Sequence, residues 1–313
     1  MPIPLLAVIA LAPEARSRLE EAGFEVIAAE AGGRAGAIGG SGARAVRAVL
    51  TNGSTGLGAE DIAALPGLEI ICALGAGHEG IDLAAARARG IVVTHGPGTN
   101  AACVADHAMM LLMAVARGVV GADAAVRRGD WEGARQLRPM ISGKKLGILG
   151  LGTIGAAIAR RGAGGFGMPV AYHSRTPREG TGWLHLPSAA ALAAWADFLV
   201  VATPGGAATR HLVDEAVLAA LGPEGFLVNI SRGSVVDTRA LIAALQQGRL
   251  AGAALDVVEG EPDVPRELTE LGNVVLTPHM AGRAPEAAKA PLGLVIDNLR
   301  AHFAGQAVLT PVA

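Results

Sequence analysis

The sequence predicts an α/β protein made of two doubly wound parallel-sheet domains. Short apolar runs alternate with Ala/Glu/Arg stretches of helical periodicity along the whole chain. The run "KLGILGLGTIG", Lys145 to Gly155, sets three glycines at dinucleotide-loop spacing directly after an apolar strand. A Gly/Pro/Asn break, "HGPGTN", His95 to Asn100, divides the first strand series from the second.

In the first series, Leu5–Ala10, Phe24–Ile27, Val46–Thr51, Leu68–Ala73 and Ile91–Thr94 read as buried strands, with helical segments such as Pro13–Ala22 and Leu83–Arg89 between them. After the break, one long apolar helix from Ala101 to about Val120 is expected to cross between domains. The second series is Leu146–Gly150, Pro169–His173, Phe198–Ala202, Phe226–Ile230, Gly252–Val257 and Asn273–Leu276, six strands for a full dinucleotide fold. Helices are expected at Ile154–Arg161, Leu212–Ala220 and Thr238–Gln247. The tail from about Pro285 reads as one more helix ending near Gly305, too short to stand alone and expected to return to the first lobe. The expected division is therefore residues 1–98 plus 286–313 as a substrate-binding (catalytic) domain and 99–285 as an inserted NAD(P)-binding domain.

A chain of 313 residues is long enough for two such domains without disulfides or metals. Hydrophobic residues make up 51%, charged residues 17%, and the formal net charge is -2, so nothing marks a disordered, polyanion-binding or membrane-surface protein. A small-molecule partner is expected. Cys72 and Cys103 are the only cysteines and lack metal-type spacing, so no metal site is expected and a reducing cytoplasm fits. The start "MPIPLLAVIALAP" imitates a signal-peptide core, but no cation precedes the apolar run and Pro13 follows it; Leu5–Ala10 is read as the first strand. No span approaches membrane length.

In "GLGTIG", Gly150 permits a tight turn, Gly152 lets the backbone approach a pyrophosphate, and Gly155 lets the helix pack closely on the strand. The helix beginning near Thr153 and Ile154 aims its N–H groups at the diphosphate. Dinucleotide loops usually lead to an acidic residue that binds a free ribose hydroxyl, yet "AYHSRTPR", Ala171 to Arg178, holds none. Ser174, Arg175 and Thr176 invite a 2′-phosphate instead, so NADP is the expected cofactor, with NADPH preferred over NADH. The alternative is a solvated loop whose Arg175 faces water.

Three stretches carry candidate chemistry: "NISRGSVVD" with Arg232, "ALDVVEGEP" with Asp256 and Glu261, and "LTPHMAG" with His279, each just past an expected strand end. Together with "ALGAGHEGIDLAAARARGIVV" and "GPGTNAACVADHA", they resemble the D-isomer-specific 2-hydroxyacid dehydrogenase family, particularly its hydroxypyruvate/glyoxylate reductase branch, over nearly the whole chain. The resemblance implies a flavodoxin-like substrate domain and a Rossmann nucleotide domain with a cleft between them. It puts Arg232, Glu261 and His279 on the family's catalytic triad and Asp256 on the residue that holds the nicotinamide carboxamide. It also implies cofactor contacts from Thr203, Pro204, Ile230, His279 and Gly282, and a substrate loop at Leu74, Gly75, Ala76 and Gly77, joined by Arg232 and His279. The family's working acid stands directly before Pro, which selects Glu261 and leaves Glu259 as a solvated charge.

The chemistry agrees with those residue types. Reducing a 2-keto acid needs a group that cycles its proton near neutral pH, which suits His279. A carboxylate on the other imidazole nitrogen fixes the ring, the role for Glu261, while Arg232 holds carbonyl and carboxylate oxygens. The N–H groups of Ala76 and Gly77 converge as an anion nest, or else form an ordinary strand-to-helix turn. "TNGSTG", Thr51 to Gly56, is expected as another wall of the cleft. His78, His95, His107 and His211 default to structural roles. Asp106-His107 and Arg283 depart from the commoner family pattern and bear on substrate choice.

The expected reaction is NADPH-dependent reduction of glyoxylate or hydroxypyruvate to the (D/R)-2-hydroxy acid, with bulkier acids of the phenylpyruvate type as the alternative. Short-chain dehydrogenases need a Tyr and a Lys four residues apart, but Tyr172 has Thr176 at that spacing. Formate dehydrogenase relatives carry Gln where Glu261 stands, and phosphoglycerate dehydrogenases often carry a further domain. A non-enzymatic nicotinamide sensor of the same architecture, like the C-terminal-binding-protein corepressors, is the rival from another class; their extended tails are not expected here. Hinges are expected near Gly96–Asn100 and Gly282–Pro285, and the long apolar helix suggests a homodimer.

Overall fold

Five short apolar segments near the N-terminus pair in parallel: β1 (Ile3–Ala7), β2 (Phe24–Ala28), β3 (Ala48–Thr51), β4 (Ile70–Ala73) and β5 (Val92–Thr94), in the order β2-β1-β3-β4-β5. This is the flavodoxin-like winding. The computed structural model describes residues 2–28, 38 and 43–312. β3 and β4 are buried at every position, which is why they read as unbroken apolar runs rather than as alternation. Helices α1 (Pro13–Glu21), α2 (Ala59–Ala63) and α3 (Leu83–Ala88) return the chain between strands. Pro13 opens α1, where its missing N–H costs nothing, and the Asp82 carboxylate caps α3 by accepting from Ala85 N.

The second unit opens with α4 (Ala101–Arg117) and α5 (Val119–Arg127). The expected single helix to Val120 is thus corrected to two helices bent by 61°. The break falls at Gly118, which adopts a left-handed φ of +62°. The apolar face of α4 is also used differently from the expectation: Val104, Ala108, Leu111, Leu112 and Val115 are buried in this unit's own core with Ile148, Ile158, Phe198 and Val228.

The chain continues through β6 (Leu146–Leu149), α6 (Thr153–Phe166), β7 (Val170–His173), β8 (Leu184–His185), α7 (Ala189–Trp195), β9 (Phe198–Val201), α8 (Glu215–Leu221), β10 (Phe226–Asn229), α9 (Thr238–Gln246), β11 (Gly252–Leu255), α10 (Arg266–Thr269) and β12 (Val274–Leu276). The sheet has seven parallel strands in the order β12-β11-β10-β9-β6-β7-β8, not the expected six. The added β8 is two residues long, below the length at which periodicity is visible. α8 starts three residues later than expected because Val213 is taken by a bridge to Val236 and Asp214 caps the helix through Val217 N.

The last helix, α11 (Pro285–Phe303), returns to the five-stranded sheet, where Leu292, Val295, Ile296 and Leu299 pack with Leu5, Leu50, Ile70 and Cys72. Burial there pushes the Cys72 thiol up to about 12. Arg47 lies 4.7 Å over the Phe303 ring and is hydrogen-bonded to Glu69 at 2.5 Å. The two compact units are residues 1–100 with 284–313, and 101–283. Among the described residues, no single helix is long and apolar enough to cross a membrane.

Candidate active site

In the seven-stranded unit the winding reverses between β6 and β9, and open parallel sheets bind ligands beyond the strand ends at such a point. The glycine loop lies there. Gly150 has φ +99°, and a Cβ on it would stand 2.8 Å from Thr203 N. A Cβ on Gly155 would stand 2.1 Å from Gly150 O, so only glycine lets α6 come this close to the loop. Gly152, by contrast, faces open space. As N-cap of α6 it has no capping side chain, which leaves the first-turn N–H groups of Thr153, Ile154 and Gly155 for an anion. The Thr203 hydroxyl is buried without a partner among the described residues. An N-terminus open to an anion and an orphaned hydroxyl beside it fit a dinucleotide diphosphate.

Pro204 and Ile230 follow β9 and β10 on the same edge, with Ile230 N donating to Val201 O at 3.3 Å. Gly282 follows Ala281 beyond β12. Beyond β7, the Ser174 hydroxyl donates to Thr176 O at 2.7 Å and so shapes the turn. Arg175 is exposed and has no partner among the described residues.

The loops after β10, β11 and β12 carry the expected triad on adjacent strands. His279 Nδ1 meets Glu261 Oε1 at 2.5 Å, with both side chains about one-third exposed at 37% and 36%. Glu261 Oε2 also accepts from Val258 N at 3.3 Å. His279 holds a left-handed φ of +50°, an uncommon conformation for a residue with a Cβ. Its backbone is fixed by N–H bonds to Asp256 O (2.8 Å) and Thr277 O (3.0 Å).

In the structure Asp256 is engaged by the loop that bears His279. Its buried carboxylate accepts from Thr277 Oγ1 (2.6 Å), Met280 N (2.9 Å) and Ala281 N (2.9 Å), which pins the His279 loop from both sides. His107, expected to be merely structural, reaches into this network from α4: Nε2 stands 3.0 Å from Thr277 Oγ1 and 3.3 Å from Asp256 Oδ1.

Arg232 Nη1 donates to Ser231 O at 2.7 Å, and its stem lies against Gly205, where a Cβ would meet Cγ at 2.7 Å. A Cβ on the following Gly233 would stand 2.1 Å from Val258 C, so the Arg232 turn lies directly against the loop that bears Glu261.

Glu259, expected as a solvated charge, is corrected. It accepts from Arg210 Nη2 at 2.9 Å and lies 3.1 Å from His211 Nε2, while His211 Nδ1 faces Asp237 at 3.8 Å. His211 is the other non-glycine residue with a left-handed φ among the described residues, +49°, and its N–H donates to Ser234 O at 2.9 Å. These contacts tie together the loops after β9, β10 and β11. The 48-residue separation of His211 and Glu259 hides the pair from any local reading.

The five-stranded unit has its own strand-end feature. After β4, Gly75 turns at φ +102°, Gly96 N donates to Gly75 O at 2.6 Å, and His95 Nδ1 lies 2.9 Å from Ala76 O. The N–H groups of Ala76 and Gly77 have no acceptor among the described residues. The Thr51–Gly56 segment is packed onto this loop: Gly80 N donates to Gly53 O at 3.0 Å, and a Cβ on Gly53 would stand 2.7 Å from Gly77 C. His78 sits edge-on to His95 at 5.0 Å, with its Nδ1 buried and unpartnered.

Comparison with known proteins gives a consistent result. Residues 109–281 match the D-isomer specific 2-hydroxyacid dehydrogenase, NAD binding domain. The chain is 47% identical over 268 residues to a glyoxylate/hydroxypyruvate reductase of Arabidopsis thaliana, covering 85% of each. It is 44% identical over 271 residues, 86% of each chain, to a hydroxyphenylpyruvate reductase of Plectranthus scutellarioides. Among solved structures it is similar to an NADPH-dependent glyoxylate/hydroxypyruvate reductase of Sinorhizobium meliloti in complex with NADP and malonate, with TM-score 0.93, 42% identity and coverage of 100% and 97%.

Proposed function

Because the chain belongs to the D-isomer specific 2-hydroxyacid dehydrogenase family, and so is an NAD(P)-dependent oxidoreductase of 2-keto and 2-hydroxy acids, we propose that it reduces glyoxylate or hydroxypyruvate to the (D/R)-2-hydroxy acid and prefers NADPH. The observation that carries this reading is the 2.5 Å contact of His279 Nδ1 with Glu261. It fixes the imidazole through one nitrogen and leaves Nε2, which has no partner among the described residues, for the reacting oxygen.

A bound reduced nicotinamide supplies the hydride. His279 gives its proton to the substrate oxygen, and Glu261 holds the ring in place through Nδ1. Arg232 steadies the negative charge that develops on that oxygen. The Ala76 and Gly77 N–H groups, without an acceptor among the described residues, suit a carboxylate. The Gly150–Gly155 loop and Thr203 suit the diphosphate, and Arg175, Ser174 and Thr176 suit a 2′-phosphate. The reductase relatives give no support to the sensor reading.

The test is NADPH and NADH oxidation with glyoxylate, hydroxypyruvate, pyruvate and phenylpyruvate. Equal catalytic efficiency with both cofactors removes the NADPH preference. The aromatic substrate named for the Plectranthus relative carries a second reading, and a phenylpyruvate kcat/KM above that of both small acids selects it.

We also propose a homodimer in a reducing cytoplasm. Cys72 is a buried thiol. With α4 buried, the apolar surface that supports a dimer lies further on, at Val119, Val120, Trp131, Leu137 and Met140, all exposed. A cavity of about 410 Å³ lined by Ala114, Val120, Leu137 and Pro139 adjoins it. A monomer by light scattering at micromolar concentration contradicts the dimer.

A further inference from the structure

The turn after β7 must present Arg175 to solvent and still hold its shape. A cation on a loose loop loses conformational freedom when it binds an anion; one on a loop already closed does not. Tyr172, the only tyrosine of the chain, supplies the closure. Its ring is 1% exposed. Its hydroxyl accepts from Arg178 N at 2.7 Å and donates to Arg178 O at 3.3 Å, so the far end of the turn is fastened back to the strand it left.

Other contacts brace the near end. His185 Nε2 stands 3.3 Å from Ser174 O, and Ser174 Oγ donates across the turn to Thr176 O. His185 belongs to β8, which is itself joined to β7 and followed by the Leu186 N to Tyr172 O bond of 2.8 Å. The segment from Ser174 to Arg178 is thus closed by hydrogen bonds at both ends, while the Arg175 side chain stays exposed without a partner among the described residues. A buried phenylalanine would fill the same core space as Tyr172. Among the described residues, the hydroxyl makes its hydrogen bonds only to this turn.

We propose that Tyr172 is a positioning residue for cofactor choice: its hydroxyl clamps the Ser174–Arg178 turn in the shape that sets Arg175 against the 2′-phosphate of NADPH. The proposal rests on the NADPH reading given above. Its effect is confined to the adenosine end of the cofactor and leaves proton transfer untouched.

Tyr172→Phe, Arg175→Ala and the double variant, each assayed with NADPH and NADH at saturating keto acid, provide the test, with the melting temperature of each variant recorded. Losing the clamp removes a neutral hydrogen-bond pair, so Tyr172→Phe raises the NADPH KM by roughly 3–10-fold. The NADH KM and both kcat values change by less than about twofold. In the Arg175→Ala background, Tyr172→Phe has no further effect on the NADPH to NADH ratio. If Arg175→Ala lowers that ratio and Tyr172→Phe does not, the clamp is wrong and the NADPH reading stands. An equal rise of KM for both cofactors reduces Tyr172 to a core residue and overturns the proposal. An Arg175→Ala variant with an unchanged ratio removes the NADPH reading, and the clamp with it.

Discussion

The two parallel sheets are wound by the same rule, yet the ends of their strands offer different chemistry. Beyond β3 and β4 of the five-stranded sheet the loops are made of small residues, and what they offer is backbone: N–H groups at Ala76 and Gly77, held in place by Gly53, Gly96 and His95. Beyond β9 to β12 of the seven-stranded sheet the loops carry His211, Arg232, Asp256, Glu259, Glu261 and His279, with His211 paired to Glu259, His279 paired to Glu261, and Arg232 and Asp256 bonded to loop backbone. The contrast fits the work proposed for each. A carboxylate is read by N–H groups that never titrate, whereas a proton must be carried by a group that does.

The largest expected effect tests the side-chain edge. His279→Ala lowers kcat for keto-acid reduction by ~10²–10⁴-fold while cofactor KM and melting temperature hold near wild type. A variant that keeps full rate ends the assignment of proton chemistry to this edge. Glu261→Gln should follow it, with a kcat loss of at least ~10-fold.

The backbone edge comes next. Gly53→Ala drives a methyl group into Gly77, 2.7 Å away, and shifts the Ala76–Gly77 seat. Overpacking of this kind costs ~1–3 kcal/mol. Expressed at the seat, it raises the keto-acid KM by about tenfold and leaves cofactor KM alone. An equal rise for cofactor breaks the division of labour between the two edges.

Glu259→Gln sharpens the comparison further. A partly exposed pair of this sort contributes ~0.2–1 kcal/mol, so kcat falls by less than about fivefold. A collapse as deep as that of Glu261→Gln would mean that the two glutamates of this loop share the work.

The smallest effect lies away from both edges. Arg47 hydrogen-bonds Glu69 and holds its carboxyl below the usual range. The stabilisation from a depressed carboxyl is present above its unfolded pKa and is lost as pH falls through the folded one. Both side chains are 40% or more exposed, so the loss is only a few tenths of a kcal/mol. Urea melts of wild type and Arg47→Met at pH 7 and pH 3 should differ by that amount at the higher pH and converge at the lower.

What the chain states locally was legible in it. Apart from β8, the strands of the seven-stranded unit announce themselves as apolar runs because both faces of the sheet are covered. The roles of Gly150, Gly152 and Gly155 follow from one another once a strand precedes and a helix follows. Glu261 and His279 were nameable by motif, and they meet at hydrogen-bond distance. What the chain states only in three dimensions was not legible. Glu259 looks like any loop acid until His211 is brought beside it, and His107 looks like any core histidine until Thr277, 170 residues on, arrives. Gly118 was invisible as a break because apolar residues continue on both sides of it.

The return of α11 to the first unit has a consequence for how the protein is made. The seven-stranded unit is one continuous stretch and is complete once its own residues have been synthesised. The five-stranded unit emerges first, yet it lacks Leu292, Val295, Ile296 and Leu299 until the last helix follows. At ~5–20 residues per second the intervening residues 101–283 take on the order of 10–40 s to emerge. For that interval Leu5, Leu50 and Ile70 lie on a face without its covering helix. The segment that is synthesised first is therefore the later to mature.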